Sequence, residues 1–282
     1  MPEPRLAILS SLLLLLLPGL SLTAQDSLAY YLEAGAMASK HNFSVTLADD
    51  QGRESEIPVS VIKGKTAGRV FTVIAGVHGY EYPPIIAAQE LIQDLDPAQL
   101  EGTVIILPLL NPGAFYGRSP FLNPQDQLNL NRIFPGDPSG TITERIADYV
   151  TQSVIAHSDV VLDIHGGDAN EDLLPFVCYY NNEKRPQETL LAKQLSENSG
   201  FEYVVSYGYT LNDEDPAKYL FKQAVQDGKV GLSIECGKLG NVQPEAVTKI
   251  KVGVYRMLEQ AGMMPPSEKQ AVELIRLTDQ SY

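Results

Sequence analysis

Short continuous apolar runs alternate with amphipathic stretches along most of the chain. Residues 69–74, 103–110, 160–164 and 229–234 are such runs. They fit strands of a sheet covered on both faces. Residues 201–205 read as a further strand. Between them Ile85, Ala88, Ile92 and Leu95 recur at spacings of three and four, which predicts a helix over 85–95. Thr141 with Glu144 makes a capping box that opens a helix to about His157. Residues 187–198 and 216–226 are helical and stop at Gly200 and Gly228, and 244–260 is a final helix with Val247, Ile250, Val254 and Met257 on one face. Ahead of these, 42–47 and 57–62 predict a hairpin around Asp49-Asp50-Gln51-Gly52. Residues 26–40 read as a short helix or a lead-in, and 265–282 as a last strand or a tail. Strands that alternate with helices predict an α/β fold: one domain, an α/β/α sandwich with a mixed, largely parallel sheet and a core at about 57–262.

The N-terminus reads differently. Residues 6–22 are nearly all apolar after Arg5, with a Pro18-Gly19 break and small residues towards Ala24. That is the layout of a secretory signal peptide over 1–24, which places the mature chain, 25–282, in a secreted or periplasmic setting without stable membrane insertion. A formal charge of −14 argues against a broad surface for nucleic acid. The two cysteines, Cys178 and Cys236, suit either a pair or two buried thiols. Oligomeric state leaves no trace in the pattern.

Chemistry gathers at the ends of the apolar runs, where open α/β sheets bind ligands. The run 69–74 leads to His78 and Glu81 in a glycine-flanked turn before Pro83 and Pro84. The run 103–110 delivers Asn111 and then a polar loop, 117–140, of the length that functional loops have. The others deliver His165, with Asp163 on the same side of its strand, and Glu235. Two imidazoles and one carboxylate with an open fourth position form a catalytic zinc set, with bonds of about 2.0–2.2 Å. Such an ion brings the pKa of its water to about 7, and a carboxylate such as Glu235 can accept the proton and pass it to a leaving amine. Arg118, Asn131 and Arg132 in the polar loop suit an anion.

The segments Gly76-Val77-His78-Gly79-Tyr80-Glu81, Asn111-Pro112, Asn129-Leu130-Asn131-Arg132-Ile133-Phe134-Pro135-Gly136, Asp163-Ile164-His165-Gly166-Gly167 and Ser233-Ile234-Glu235-Cys236-Gly237 occur in this order. Together they resemble the succinylglutamate desuccinylase/aspartoacylase family, relatives of the zinc carboxypeptidases. The resemblance implies a carboxypeptidase-like fold and a zinc-dependent hydrolase of amide bonds in N-acyl amino acids or related small anionic substrates. It implies one Zn2+ held by His78, Glu81 and His165, with Glu235 as general base and then acid. Arg118 would polarise the scissile carbonyl. Asn111, Asn131 and Arg132 would bind substrate, the last two at its carboxylate. Alternative readings are a carboxypeptidase or amidase acting on peptides or cell-wall fragments, and a non-catalytic protein that retains the metal. Asn129 stands where the family usually has Asp. Little chain follows Glu235, so the C-terminal β domain of the aspartoacylase branch is expected to be absent and the pocket more open.

Overall fold

A computed structural model describes residues 24–212, 214–267 and 273–279. All but the last residue of the expected leader lies outside the described residues. Among the described residues nine strands form one sheet: β1 (Ser39–Ala48), β2 (Glu54–Lys63), β3 (Val70–Ala75), β4 (Thr103–Leu107), β5 (Val160–His165), β6 (Phe176–Asn181), β7 (Tyr203–Gly208), β8 (Val230–Glu235) and β9 (Ile275–Asp279). Their order is β1-β2-β4-β3-β5-β8-β6-β7-β9. β4, β3, β5 and β8 run parallel to their neighbours in that group, as do β6, β7 and β9 in theirs. The hairpin β1–β2 joins β4 antiparallel, and β6 lies antiparallel to β8. The sheet is therefore mixed and largely parallel, as the pattern predicts.

The helices are α1 (Ala24–Glu33), α2 (Tyr82–Asp94), α3 (Pro112–Tyr116), α4 (Ile142–Tyr149), α5 (Pro186–Asn198), α6 (Leu220–Gln226) and α7 (Pro244–Gln260), with a π-helical stretch, Val150–Ile155, continuing α4. Strand periodicity sorts the core into two layers. Phe71, Val73 and Ala75 of β3 pack with Leu91, Leu195, Ile250 and Met257 on the α2, α5 and α7 side. Ile74 packs with Leu28, Ile142, Ile146 and Leu220 on the α1, α4 and α6 side. Each fully buried Leu, Ile or Phe contributes roughly 1.5–3 kcal/mol relative to an exposed one. Among the described residues no helix is long and apolar enough to cross a membrane.

Two differences from the sequence pattern have physical causes. The ladder of β4 ends at Leu107; beyond it the amides of Leu110 and Asn111 donate to the carbonyls of Ala75 and Gly76, so the chain braces the end of β3 instead. α6 begins at Leu220 rather than residue 216, because Lys218, at φ 68°, exchanges backbone hydrogen bonds with Phe134. The pattern gave no strand between 167 and 187, where β6 enters the sheet. The stretch from 265 supplies β9, an edge strand beside β7. Cys178 and Cys236 are both free and buried.

Candidate metal centre and its cavity

The turn after β3 needs glycine at two places. Gly76 has φ 67°, and a Cβ there would lie 2.9 Å from a methyl of Leu109. A Cβ on Gly79 would lie 2.3 Å from the carbonyl oxygen of Ser119 and 2.5 Å from that of Ala114, so only glycine admits this backbone approach. Asn111, wholly buried, fastens the turn: its Nδ2 donates to the carbonyl of Val77 and its Oδ1 accepts from the amide of Ala114, capping α3. Glu81 is the residue before α2, but its side chain makes no cap. Pro83 and Pro84 in the first turn leave fewer orphan amides to satisfy. The carboxylate of Glu81 is thereby free to face the histidines.

Glu81 lies between two imidazoles. Nδ1 of His78 is 2.6 Å from its Oε1, and Nδ1 of His165 is 3.0 Å from its Oε2. The far nitrogen of each ring meets an outer partner. Oδ1 of Asn129 accepts from the amide of Asn131 at 2.9 Å, which turns an acceptor towards His78, and Nε2 of His78 donates to it at 3.1 Å. Nε2 of His165 lies 2.9 Å from Oδ2 of Asp163, an ion-pair contact, and 3.3 Å from Nδ2 of Asn131. Both rings thus turn Nδ1 towards Glu81 and Nε2 towards an outer partner, the orientation that such partners impose on metal-ligating histidines. The ligand atoms of His78, Glu81 and His165 lie within 4.8 Å of one another. Two imidazole nitrogens and one carboxylate fit a zinc ion.

The electrostatics agree. Burial raises the pKa of Glu81, but His78 and His165 outweigh it and hold the carboxyl at about 2. Burial lowers that of His165, while Asp163 and Glu81 drive it well above the ordinary histidine value. A divalent cation between these groups substitutes for the protons they would otherwise share.

A cavity of about 580 Å3 opens at this point, and His78, Glu81, His165 and Glu235 all line it. Glu235 ends β8 in register with His165 at the end of β5. Its carboxyl is pushed up to about 8, chiefly by burial, against the pull of His165 and with reinforcement from Glu81, Asp163 and Glu171. The rest of the wall is largely aromatic: Phe176, paired with Glu235 across the sheet, and Tyr180 from β6, Tyr207 from β7, and Tyr219 and Phe221 at the start of α6.

The succinylglutamate desuccinylase/aspartoacylase catalytic domain matches residues 67–261, more than half of the chain. The chain belongs to this family. N-alpha-acetyl-L-2,4-diaminobutyric acid deacetylase of Halomonas elongata is 36% identical over 210 residues, 74% of this chain; the chain spans 59% of that relative's length. The product-bound structure of the ectoine utilization protein EutE (DoeB) from Ruegeria pomeroyi superposes with a TM-score of 0.75 at 29% identity, over 86% of this chain and 73% of that one. A succinylglutamate desuccinylase/aspartoacylase from Rhodobacter sphaeroides does so with a TM-score of 0.72 at 25% identity, over 81% and 67%.

Within the desuccinylase/aspartoacylase frame the expected residues divide. His78, Glu81, His165, Glu235, Asn131 and Arg132 meet at the cavity. Asn131 is also a brace: Oδ1 accepts from the amide of Leu220, and Nδ2 stands 3.3 Å from Nε2 of His165. Asn111 is not among the lining residues; both ends of its amide are bonded to backbone under the His78 turn. Arg118 is exposed, at φ 51°, and its side chain is not part of the cavity wall. Its carbonyl accepts from the hydroxyl of Tyr80 in the turn that follows α3. The sequence pattern missed the aromatic wall because it missed β6. The signal was present: Phe176-Val177-Cys178-Tyr179-Tyr180 is an aromatic and β-branched run bounded by Pro175 and Asn181-Asn182.

Proposed function

We propose that this chain is a zinc-dependent hydrolase that cleaves the amide bond of N-acyl amino acids. The observation that carries the reading is the convergence of His78, Glu81 and His165 within 4.8 Å, on a cavity that also holds Glu235. When bound by these three residues, zinc supplies an acidified water and a Lewis acid for the scissile carbonyl. Glu235 accepts the proton of the attacking water and returns it to the leaving amine; a carboxyl raised by burial is suited to both steps. Asp163 and Asn129 stand behind the two imidazoles and orient them. Arg132 and the cavity face of Asn131 orient the substrate's carboxylate. The relative from Halomonas elongata, a deacetylase of an acetylated diamino acid, supports a small acyl group and an amino-acid leaving group.

The test combines metal analysis with a substrate panel. Purified protein is expected to hold about one equivalent of zinc, lost in His78→Ala. It is expected to release free amino acid from N-acetyl and N-succinyl amino acids and to be silenced by a chelator. Absence of zinc, or turnover of short peptides alone, would overturn the reading.

A further inference from the structure

Arg132 and Glu235 mark the two ends of one amino acid. On the reading above Arg132 orients its carboxylate and Glu235 returns a proton to its nitrogen, and both line the cavity. The carboxylate carbon and the nitrogen are joined through a single carbon, Cα. The side chain on that carbon therefore turns to the wall between Arg132 and Glu235.

Contacts join those two ends. Arg132 stands over the Tyr219 ring, with Cζ 4.8 Å from its centroid. Tyr219 packs against a cluster that holds Cys178, Tyr180 and Phe221, the last two with their rings stacked at 4.9 Å. Cys178 of β6 is the cross-strand partner of Ser233 of β8, which shares a face with Glu235 two residues on. All of these line the cavity. Cys178 is 3% exposed and Ser233 2%, so they are met only at its bottom. Each is small, whereas Phe176 and Tyr180, the neighbours of Cys178 on the same face of β6, are large. The floor is thus a depression with aromatic sides. Among the described residues that line the cavity, Arg132 is the only arginine or lysine. Once it pairs with the α-carboxylate, no side-chain cation of the wall is left for a second one.

We propose that Cys178, with Ser233 beside it, is a specificity-determining residue: the pair is the floor of a pocket for the side chain of the amino acid, sets the length it accepts and leaves no partner for a side-chain carboxylate. The inference rests on the reading of the cavity as an N-acyl amino acid site and adds which amino acids it takes. Aspartate and glutamate, with a second carboxylate to desolvate, are disfavoured.

The test uses zinc-loaded full-length protein and free amino acids, the products, so it needs no turnover. Calorimetry on the wild type should show affinity rising about threefold to fourfold per methylene from L-alanine to L-norvaline, as apolar surface is buried. Cys178→Met raises the floor and should lower the norvaline-to-alanine ratio of affinities about tenfold. Cys178→Ala deepens it and should raise the norleucine-to-norvaline ratio about threefold; this smaller change carries the test where the longer side chain disturbs folding, which thermal melts show. L-Glutamine should bind about tenfold or more tightly than L-glutamate, its match in shape. No rise with side-chain length in the wild type, ratios that ignore residue 178, or equal affinity for glutamine and glutamate would each overturn the proposal. Ratios that follow residue 178, in a protein that hydrolyses no acyl substrate, would sink the deacylase reading and leave the pocket standing. Hydrolysis of N-acyl amino acids at rates blind to residue 178 would do the reverse.

Discussion

Oδ1 of Asn129 accepts two hydrogen bonds at once, from the amide of Asn131 at 2.9 Å and from Nε2 of His78 at 3.1 Å. An amide side chain here does what the family's usual carboxylate would do: it fixes the ring and caps the short 3-10 turn Leu130–Arg132. A neutral partner makes His78 a weaker base than a charged one would. Asn129→Ala is expected to lower zinc affinity about 10–100-fold, the usual cost of losing a partner behind a ligand. Asn129→Asp is expected to match or exceed the wild type. Competition with a chromophoric chelator measures both, and an unchanged affinity in Asn129→Ala would refute the role.

Zinc should stabilise the fold by mass action. A hundredfold excess of free ion over its dissociation constant adds about 2.7 kcal/mol to unfolding. Thermal melts with and without metal should differ accordingly in the wild type and coincide in Glu81→Ala, which removes the carboxylate between the two rings.

Metal-free protein carries a pH signature at Glu235. Its carboxyl titrates near 8 when folded, against 4.5 for the ordinary group. Between those values the folded chain holds a proton that the unfolded chain has released, so this group's contribution is full below about 4.5 and is lost as pH rises through 8. Urea midpoints in chelator should therefore fall from pH 5 to pH 8. Glu235→Gln should show a shallower fall and bind zinc while turning nothing over; parallel curves for the two proteins would contradict the assignment.

Asn111→Ala should act through the fold. It leaves the carbonyl of Val77 unpaired in a buried place and removes the cap of α3. The loss is expected to be about 2–3 kcal/mol by denaturant titration. Zinc affinity should fall with it, because the same side chain steadies the turn that carries His78.

Much of the metal half was legible because its elements are strongly patterned. β3, β5 and β8 are continuous apolar runs that end in reactive side chains, and strand length leaves little doubt about where those ends lie. Asp163 and His165 share a side by strand periodicity alone, and the structure joins them at 2.9 Å. The wall half was not legible. β6 is short, follows a polar stretch and owes its place to antiparallel pairing with a strand more than fifty residues later, which no local period encodes. Asn111 and Arg118 were placed by motif and not by packing; burial of one and exposure of the other follow from contacts between distant segments.

The reversal of direction at β6 splits authorship of the pocket. The three candidate ligands come from the turn after β3 and the end of β5, whereas the tyrosines come from β6, β7 and the start of α6. Mutation can thus reshape which molecules are admitted while the reactive groups stay untouched, and related proteins can share a reaction yet diverge in diet.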